Sequence, residues 1–473
     1  MKETKRRMEL YSFYDRTGME RHLAEMAEKG WLLEKIGQFL WTYKAIEPKR
    51  LTFSVTYFPA ASQFDPRPSE EQETFYDFCA HTGWVLAAAN AQMQIFYNEG
   101  LEPIPIGTDP VQEVALIHRT MKKSFLPAQL LLLAVGLLNG WMFLSELRRD
   151  LIGTLSNTSR LFSVFCFILV ILLAAAELGT YFYWHRKAAT AAEQGDFYET
   201  RGHKKLQAGA FLLLGLVTVW YLLRTFTGES RMMRVLTTLM FLVYVPGIFL
   251  LVNGIKAFLK KRGVSAGVNR AVTMGGSFVL AMALVFGITF LTLYGSSHGW
   301  FKEPDEETYV AGGHTWTASN DPLPLTVEKL TGDDREGYDR QLREESSFLL
   351  AHMEVDERPR FDVEGRKDMY WLDYEVVLVK VPGLYESCWE QLFHERDHWN
   401  DGEPEEEWNF YAPVDPAPWG AERAYRWDGP LGPGSRYLLG YRDRIVEIEL
   451  DEPEGTWAPT GEQMTLVGEK LGN

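Results

Sequence analysis

The chain has 473 residues, of which 46% are hydrophobic and 24% charged, with a formal net charge of −16. That average hides a split: residues 1–299 carry about 31 Lys+Arg and 24 Asp+Glu, whereas residues 300–473 carry the remaining 17 and 40. Long apolar runs occur only in the first part, which excludes a purely soluble, collagenous or disordered chain, and the acidic total excludes a nucleic-acid binder working through net charge.

The length allows about three domains. We assign residues 1–122 to a cytosolic domain, 123–296 to a helical transmembrane region, and 297–473 to an acidic extracytoplasmic α+β domain. The basic start, Met-Lys-Glu-Thr-Lys-Arg-Arg, is followed by no apolar h-region, so no cleavable signal peptide is expected. Cys79, Cys166 and Cys388 fall in three different regions, which argues against an internal disulfide and against Cys-x-x-Cys zinc or redox chemistry.

In chain order, residues 9–14 read as a short aromatic strand. Thr17-Gly18-Met19-Glu20 reads as a capping box and Gly30 as a C-cap, with Met19, Leu23 and Met26 at helical spacing between them. Phe39, Trp41 and Tyr43 alternate, as do Leu51, Phe53, Val55 and Tyr57, giving two strands with a turn at Glu47-Pro48-Lys49. Ser69 opens a second helix that Gly83 closes, and a last strand runs over 93–97. The order β-α-β-β-α-β predicts a ferredoxin-like domain, in topology only. An internal echo joins residues 26–31 to 79–84: a helix end, Gly30 then Trp31, and Gly83 then Trp84. Each Gly supplies a left-handed turn, and each Trp is expected to seal its helix onto the sheet.

These residues carry a resemblance. Ser12-Phe13-Tyr14-Asp15, Gly18-Met19-Glu20, the run at 26–31, the second Gly-Trp at 83–84 and Thr108-Asp109-Pro110 resemble the bacterial domain of unknown function 2812 (DUF2812) over roughly residues 9–122. The resemblance implies a cytosolic domain followed by membrane helices. It also implies genes that neighbour transcriptional regulators of the PadR type, and hence a cytosolic regulatory partner. It implies no established activity.

Five stretches, 125–144, 161–184, 206–223, 235–259 and 272–294, are long and apolar enough to cross a bilayer. With the N-terminus inside, inner segments hold about thirteen Lys and Arg and outer ones about seven, which predicts a cytoplasmic N-terminus and an extracytoplasmic C-terminus. Tyr181, Tyr183 and Trp184 are expected as an aromatic belt beside Arg186 and Lys187. Asn139, Glu177 and Asn253 are the intramembrane polar candidates, with Glu177 the one ionisable group. Pro246 can kink the fourth span.

The acidic domain reads as strands over 347–355 and 369–381, a hairpin of 436–441 and 444–450 around Arg442-Asp443, and a final helix capped by Thr460. His394-Glu395-Arg396-Asp397-His398 matches H-E-x-x-H, in which two imidazoles one helical turn apart hold zinc and the Glu acts as general base. On a helix over 384–399 the apolar stripe is Leu384, Tyr385, Cys388, Trp389, Leu392 and Phe393. That stripe turns His394 and His398 to the opposite, solvated side, near Ser387 and Gln391. Glu403, Glu405 and Glu422 are the available third ligands. No P-loop, G-x-S-x-G or dinucleotide fingerprint is present.

Three functions follow. The first is a sensor or regulatory membrane protein coupling an outer ligand to a cytosolic domain. The second is an extracytoplasmic zinc hydrolase built on His394, Glu395 and His398. The third is a transporter accessory subunit using Glu177. Apart from that zinc no cofactor is expected; the bilayer is the one sure partner.

Overall fold

The computed structural model describes residues 3–37, 40–100, 102–200, 202–228, 231–298, 300–301, 306–396, 408–430 and 432–472. The chain folds into two compact units: residues 1–139 with 166–300, and residues 140–165 with 301–473.

The first unit opens with β1 (Thr4–Met8), α1 (Arg16–Glu28), β2 (Trp31–Lys35) and β3 (Leu40–Ala45), an antiparallel sheet in the order β1-β3-β2. The chain then repeats the same plan: β4 (Thr52–Tyr57), α2 (Glu70–His81), β5 (Val85–Asn90) and β6 (Met93–Asn98) pair in the order β4-β6-β5. The ferredoxin-like expectation is therefore corrected. Each half is a split β-α-β unit with a hairpin strand inserted, and the echo at 26–31 and 79–84 marks a structural repeat.

The β3–β4 hairpin expected around Pro48 is absent, because β3 pairs with β1 and β2 whereas β4 pairs with β6. The first strand lies at Thr4–Met8, and residues 9–15 form an irregular loop. Asp15, not Thr17, caps α1, its carboxylate accepting from the Gly18 N–H. The Thr17 hydroxyl is engaged by Thr200 instead.

Gly30 and Gly83 both take positive φ, +80° and +82°, and end their helices as the sequence implies. Trp84 is buried with Cys79 and Phe96 and donates from Nε1 to the Ile104 carbonyl at 2.9 Å. Trp31 is only half-buried, under the Lys5 ammonium. The main core joins Met19, Leu23 and Met26 of α1 to Trp41, Tyr43, Phe53 and Val55 of both sheets.

After α3 (Pro110–Lys123) come α4 (Phe125–Arg149), α5 (Leu151–Ser156), α6 (Thr158–Glu193), α7 (Lys204–Gly228), α8 (Arg231–Thr238), α9 (Val245–Lys261) and α10 (Ala266–Ser297). Five spans within these helices are long and apolar enough to cross a membrane, and at most 17% of any apolar window is buried by protein. Side chains such as Leu242, Phe286 and Phe290 are more than 60% exposed, which suits hydrocarbon and not water. A π-helical stretch, Leu239–Tyr244, joins α8 to α9 just before Pro246. The proline ring and its missing N–H account for this break in the ladder.

The second unit is built on a seven-stranded antiparallel sheet. Its elements are β7 (Glu306–Ala311), β8 (His314–Ser319), α11 (Val327–Thr331), β9 (Tyr338–Ser346), β10 (Leu350–Pro359), β11 (Trp371–Val379), α12 (Tyr385–His394), β12 (Phe410–Pro413), β13 (Arg423–Gly429), β14 (Gly432–Gly440), β15 (Arg444–Asp451) and α13 (Gly461–Leu471). The sheet order is β12-β13-β14-β15-β11-β10-β9, and β7 and β8 form a separate hairpin.

Period-two patterning sorts the side chains by face. Val355, Leu372, Tyr374, Val446, Ile448 and Leu450 point to one face, packed with α11, α13, Trp419 and Trp457. On the other face Val377, Val379, Leu438 and Ile445 are covered by Cys388, Trp389 and Leu392 of α12 and by Ile152 and Leu155 of α5. The 436–450 hairpin and the Thr460 capping box stand as expected. Helix α12 ends at His394, five residues short of the expected end; residues 397–407 lie outside the described ones. The three cysteines are free thiols.

Candidate functional site

Two constellations stand out, one in each unit. In the first unit the irregular loop 9–15 inserts polar groups against α6 and α7. Glu177 of α6 is 6% exposed. Its Oε1 accepts from the Ser12 hydroxyl at 2.9 Å and from Gln207 Nε2 at 2.5 Å, and Gln207 Nε2 also donates to Ser12 Oγ at 3.2 Å. Thr17 N–H donates to Thr200 Oγ1 at 2.8 Å, and the Thr200 N–H returns a bond to Thr17 Oγ1 at 3.2 Å.

Glu9, almost fully buried, accepts from His22 Nε2 at 2.8 Å and from Lys204 Nζ at 3.1 Å. Burial alone would raise the Glu9 pKa, but His22 and Lys204 outweigh it and hold the carboxyl at about 2. Around these bonds Tyr14 packs edge-on against Tyr181 and Phe125 and stacks on Trp184. Tyr181 and Trp184 are thus 0% and 4% exposed. They belong to this seam and not to an aromatic belt, whereas Tyr183 is 62% exposed and keeps the belt character.

Glu177 is therefore a clamp residue. Asn139 and Asn253 each donate to the carbonyl four residues back in their own helix, at 2.8 Å. The loop residues Ser12, Tyr14 and Asp15, on which part of the resemblance rests, are the ones that dock. Thr200 on Asp15 and Gln207 on Ser12, like Lys204 on Glu9 and Tyr11, were missed from sequence, since nothing local links residues so far apart in the chain.

In the second unit the uncovered half of the sheet face is a charged basin. Two cross-strand rows carry it: Asp356, Asp373 and Glu449 in one, Glu354, Glu375 and Glu447 in the next. Like charges directly opposite one another destabilise a sheet. The basin answers with Arg436, 3.2 Å from Glu447 and also paired with Glu449, with Arg396, 3.3 Å from Glu447, and with Arg358 on Asp356.

Glu447 also accepts from Tyr411 Oη at 2.7 Å. Burial would raise its pKa, but the two guanidinium groups bring it below the ordinary range. Burial and the neighbouring Asp356 push Asp373 up to about 6. The cavity above has a volume of about 700 Å3, with Trp316, Phe361 and Trp371 among its walls. The signal for it in the sequence is a thrice-repeated acid–apolar–acid triplet, Glu354-Val355-Asp356, Asp373-Tyr374-Glu375 and Glu447-Ile448-Glu449.

The H-E-x-x-H residues take positions that the motif alone does not convey. His394 is the exposed last residue of α12, Glu395 begins the turn after it, and His398 lies outside the described residues. Glu395 brings a carboxylate oxygen within 4.8 Å of oxygens of Glu375 and Glu447. Such an all-oxygen set suits a hard cation better than zinc, and here Arg396 and Arg436 already compensate Glu447. Glu422 is not in this group, and Glu403 and Glu405 lie outside the described residues.

Five apolar spans and a domain of two split β-α-β repeats define a multi-pass membrane protein with a docked globular domain. Residues 15–128, roughly a quarter of the chain, match the family described as "Protein of unknown function (DUF2812)". No curated protein and no solved structure matches the chain.

Proposed function

We propose that this chain is a regulatory membrane protein that couples the state of its acidic C-terminal unit to its DUF2812 domain. One observation carries the proposal. The single helix α6 starts in the second unit, where Thr158 Oγ1 donates to the Ser346 carbonyl at 2.7 Å, and ends in the first, where Glu177, Tyr181 and Trp184 are buried against the docked loop. A ligand that distinguishes two states of one end of a stiff helix biases whatever the other end holds.

The DUF2812 domain is cytoplasmic and the acidic unit extracytoplasmic in this proposal. Support comes from which links each domain packs on. The N-terminal domain packs on Phe125, Tyr181, Trp184, Thr200, Lys204 and Asn269, all on or next to links that the Lys/Arg bias assigns to its own side. The C-terminal unit instead includes residues 147–160, which the same bias assigns to the other side. The acid-rich basin makes a cationic molecule the natural outer ligand.

The test is twofold. Reporters fused to the two termini should report from opposite sides, and a common side overturns the topology. Asp356→Asn with Asp373→Asn should change amide exchange in loop 9–15, and unchanged exchange there overturns the coupling. A hydrolase is not favoured, because α12 ends at His394 and Glu395 and Arg396 form a turn. A transporter is not favoured either, because Glu177 is committed to a clamp.

A further inference from the structure

Residues 58–66, the loop between β4 and α2, meet the membrane helices at three span ends. Asn269, near the start of α10, is fully buried and donates from Nδ2 to the Phe64 carbonyl at 3.2 Å. Around this neutral pin stand cations. Lys123, just before α4, donates to the Pro59 carbonyl at 2.8 Å. Lys256 of α9 donates to Gln63 Oε1 at 3.3 Å, and Lys260 to the Gln63 carbonyl at 3.4 Å. Arg270 of α10 lies over the Phe64 ring, 5.6 Å from its centroid. Lys261 and Arg262 end α9 and enter its link to α10, and like Arg270 they are exposed.

The loop answers these six charges with neutral oxygens and a ring. Its one carboxylate, Asp65, accepts from the Ser62 N–H. Among the described residues no ion pair joins any of the six to a carboxylate. The helices offer none either, since residues 230–302 contain no Asp or Glu. Like charges gathered on one loop repel one another, and an anion from outside relieves that repulsion. In the membrane reading above, the ends of α4, α9 and α10 lie at the level of lipid headgroups, where an anionic surface attracts juxtamembrane Lys and Arg.

We propose that this cationic rim is a docking surface for anionic phospholipid headgroups, whose phosphates hold the 58–66 loop of the N-terminal domain against α9 and α10. Without them the cations push apart and the loop leaves its Asn269 pin. The proposal rests on the membrane assignment and not on the coupling to the acidic unit.

The experiment uses the full chain in nanodiscs of phosphatidylcholine with or without phosphatidylglycerol, and reads amide exchange over residues 61–65. Phosphatidylglycerol should slow that exchange about tenfold, and high salt should reverse the effect by screening the headgroups. Equal exchange in the two lipids overturns the proposal.

Gln63 is exposed, so Gln63→Glu sets a carboxylate beside Lys256, one helical turn from Lys260, without disturbing the core. It should give the slow exchange in phosphatidylcholine alone. A Gln63→Glu chain that still needs phosphatidylglycerol overturns repulsion as the cause. Lys261→Gln with Arg262→Gln removes two exposed charges and should shrink the lipid effect about threefold. An undiminished effect overturns the headgroup contact. Equal protection by soluble glycerol phosphate in phosphatidylcholine discs overturns the lipid source in favour of a free anion. Extraction of the chain from membranes by alkaline carbonate would instead sink the membrane assignment itself.

Discussion

The seam and the basin use buried polar groups in opposite ways. At the seam each polar group is drawn from a distant element and the contacts are few and short: Ser12 and Gln207 on Glu177, and Thr17 on Thr200. The one ionised cluster there sets the Glu9 carboxylate among His22, Lys204 and Arg7. In the basin six carboxylates stand on three neighbouring strands, and arginines compensate only part of them. Reciprocal bonds between distant elements specify one docked geometry, whereas carboxylates only partly offset by arginines keep charge available for something outside the protein.

The largest effect that could break this contrast is in the seam's aromatic centre. Tyr14→Ala should cost about 3–5 kcal/mol in the unfolding of the N-terminal domain, since the ring is fully buried among Phe125, Tyr181 and Trp184. Tyr14→Phe should cost under about 1 kcal/mol, because the hydroxyl makes no hydrogen bond of good geometry, with Ser12 and Thr180 the polar groups beside it. A large loss in the phenylalanine variant would show that the hydroxyl is bonded after all.

Next comes Glu447→Gln, which leaves the Arg396 and Arg436 guanidinium groups without their shared buried carboxylate. A loss of about 3 kcal/mol in the second unit is expected from denaturant unfolding. An unchanged midpoint would mean that the basin does not depend on this pairing.

A smaller effect, of opposite sign, belongs to Asp373. Its folded pKa of about 6 lies above the ordinary 3.8, so the folded unit keeps a proton that the unfolded chain releases. That contribution is complete below about pH 4 and is lost as pH climbs through about 6. Asp373→Asn should flatten the decline and stabilise the unit at pH 7.5 by about 1 kcal/mol. The figure is discounted because the side chain is 39% exposed. A variant that unfolds with the parent's pH profile would refute the assignment.

Smallest of all, Asn253→Leu should leave thermal stability within about 0.5 kcal/mol, because the amide bonds only to its own helix.

Much of the fold was legible because it is written in short-range patterns. The five spans, Gly30 and Gly83 with positive φ, the Ser69 and Thr460 caps and the 436–450 hairpin all follow from residues within a few positions of each other. The misreadings have one cause as well. Thr17 has the composition of an N-cap, but Thr200 claims its hydroxyl and Asp15 takes the role. Strands β3 and β4 alternate like a hairpin but pair with other strands. Glu177 reads as an isolated intramembrane acid until Ser12 and Gln207 are brought to it.

By itself the amino-acid order determined where hydrocarbon-compatible helices run, where the acidic unit begins, and that a Gly-Trp helix ending recurs at 30–31 and 83–84 before the spans. Each of these depends on solvent preference and backbone propensity summed over neighbouring residues. Only the tertiary structure decided that residues 140–165 join the acidic unit, that loop 9–15 is a docking element, and that three acid–apolar–acid triplets line up across β10, β11 and β15. Strand register and long-range hydrogen bonds join positions tens to hundreds of residues apart. Their free energy exists only after the chain has closed those loops, so no local pattern records it.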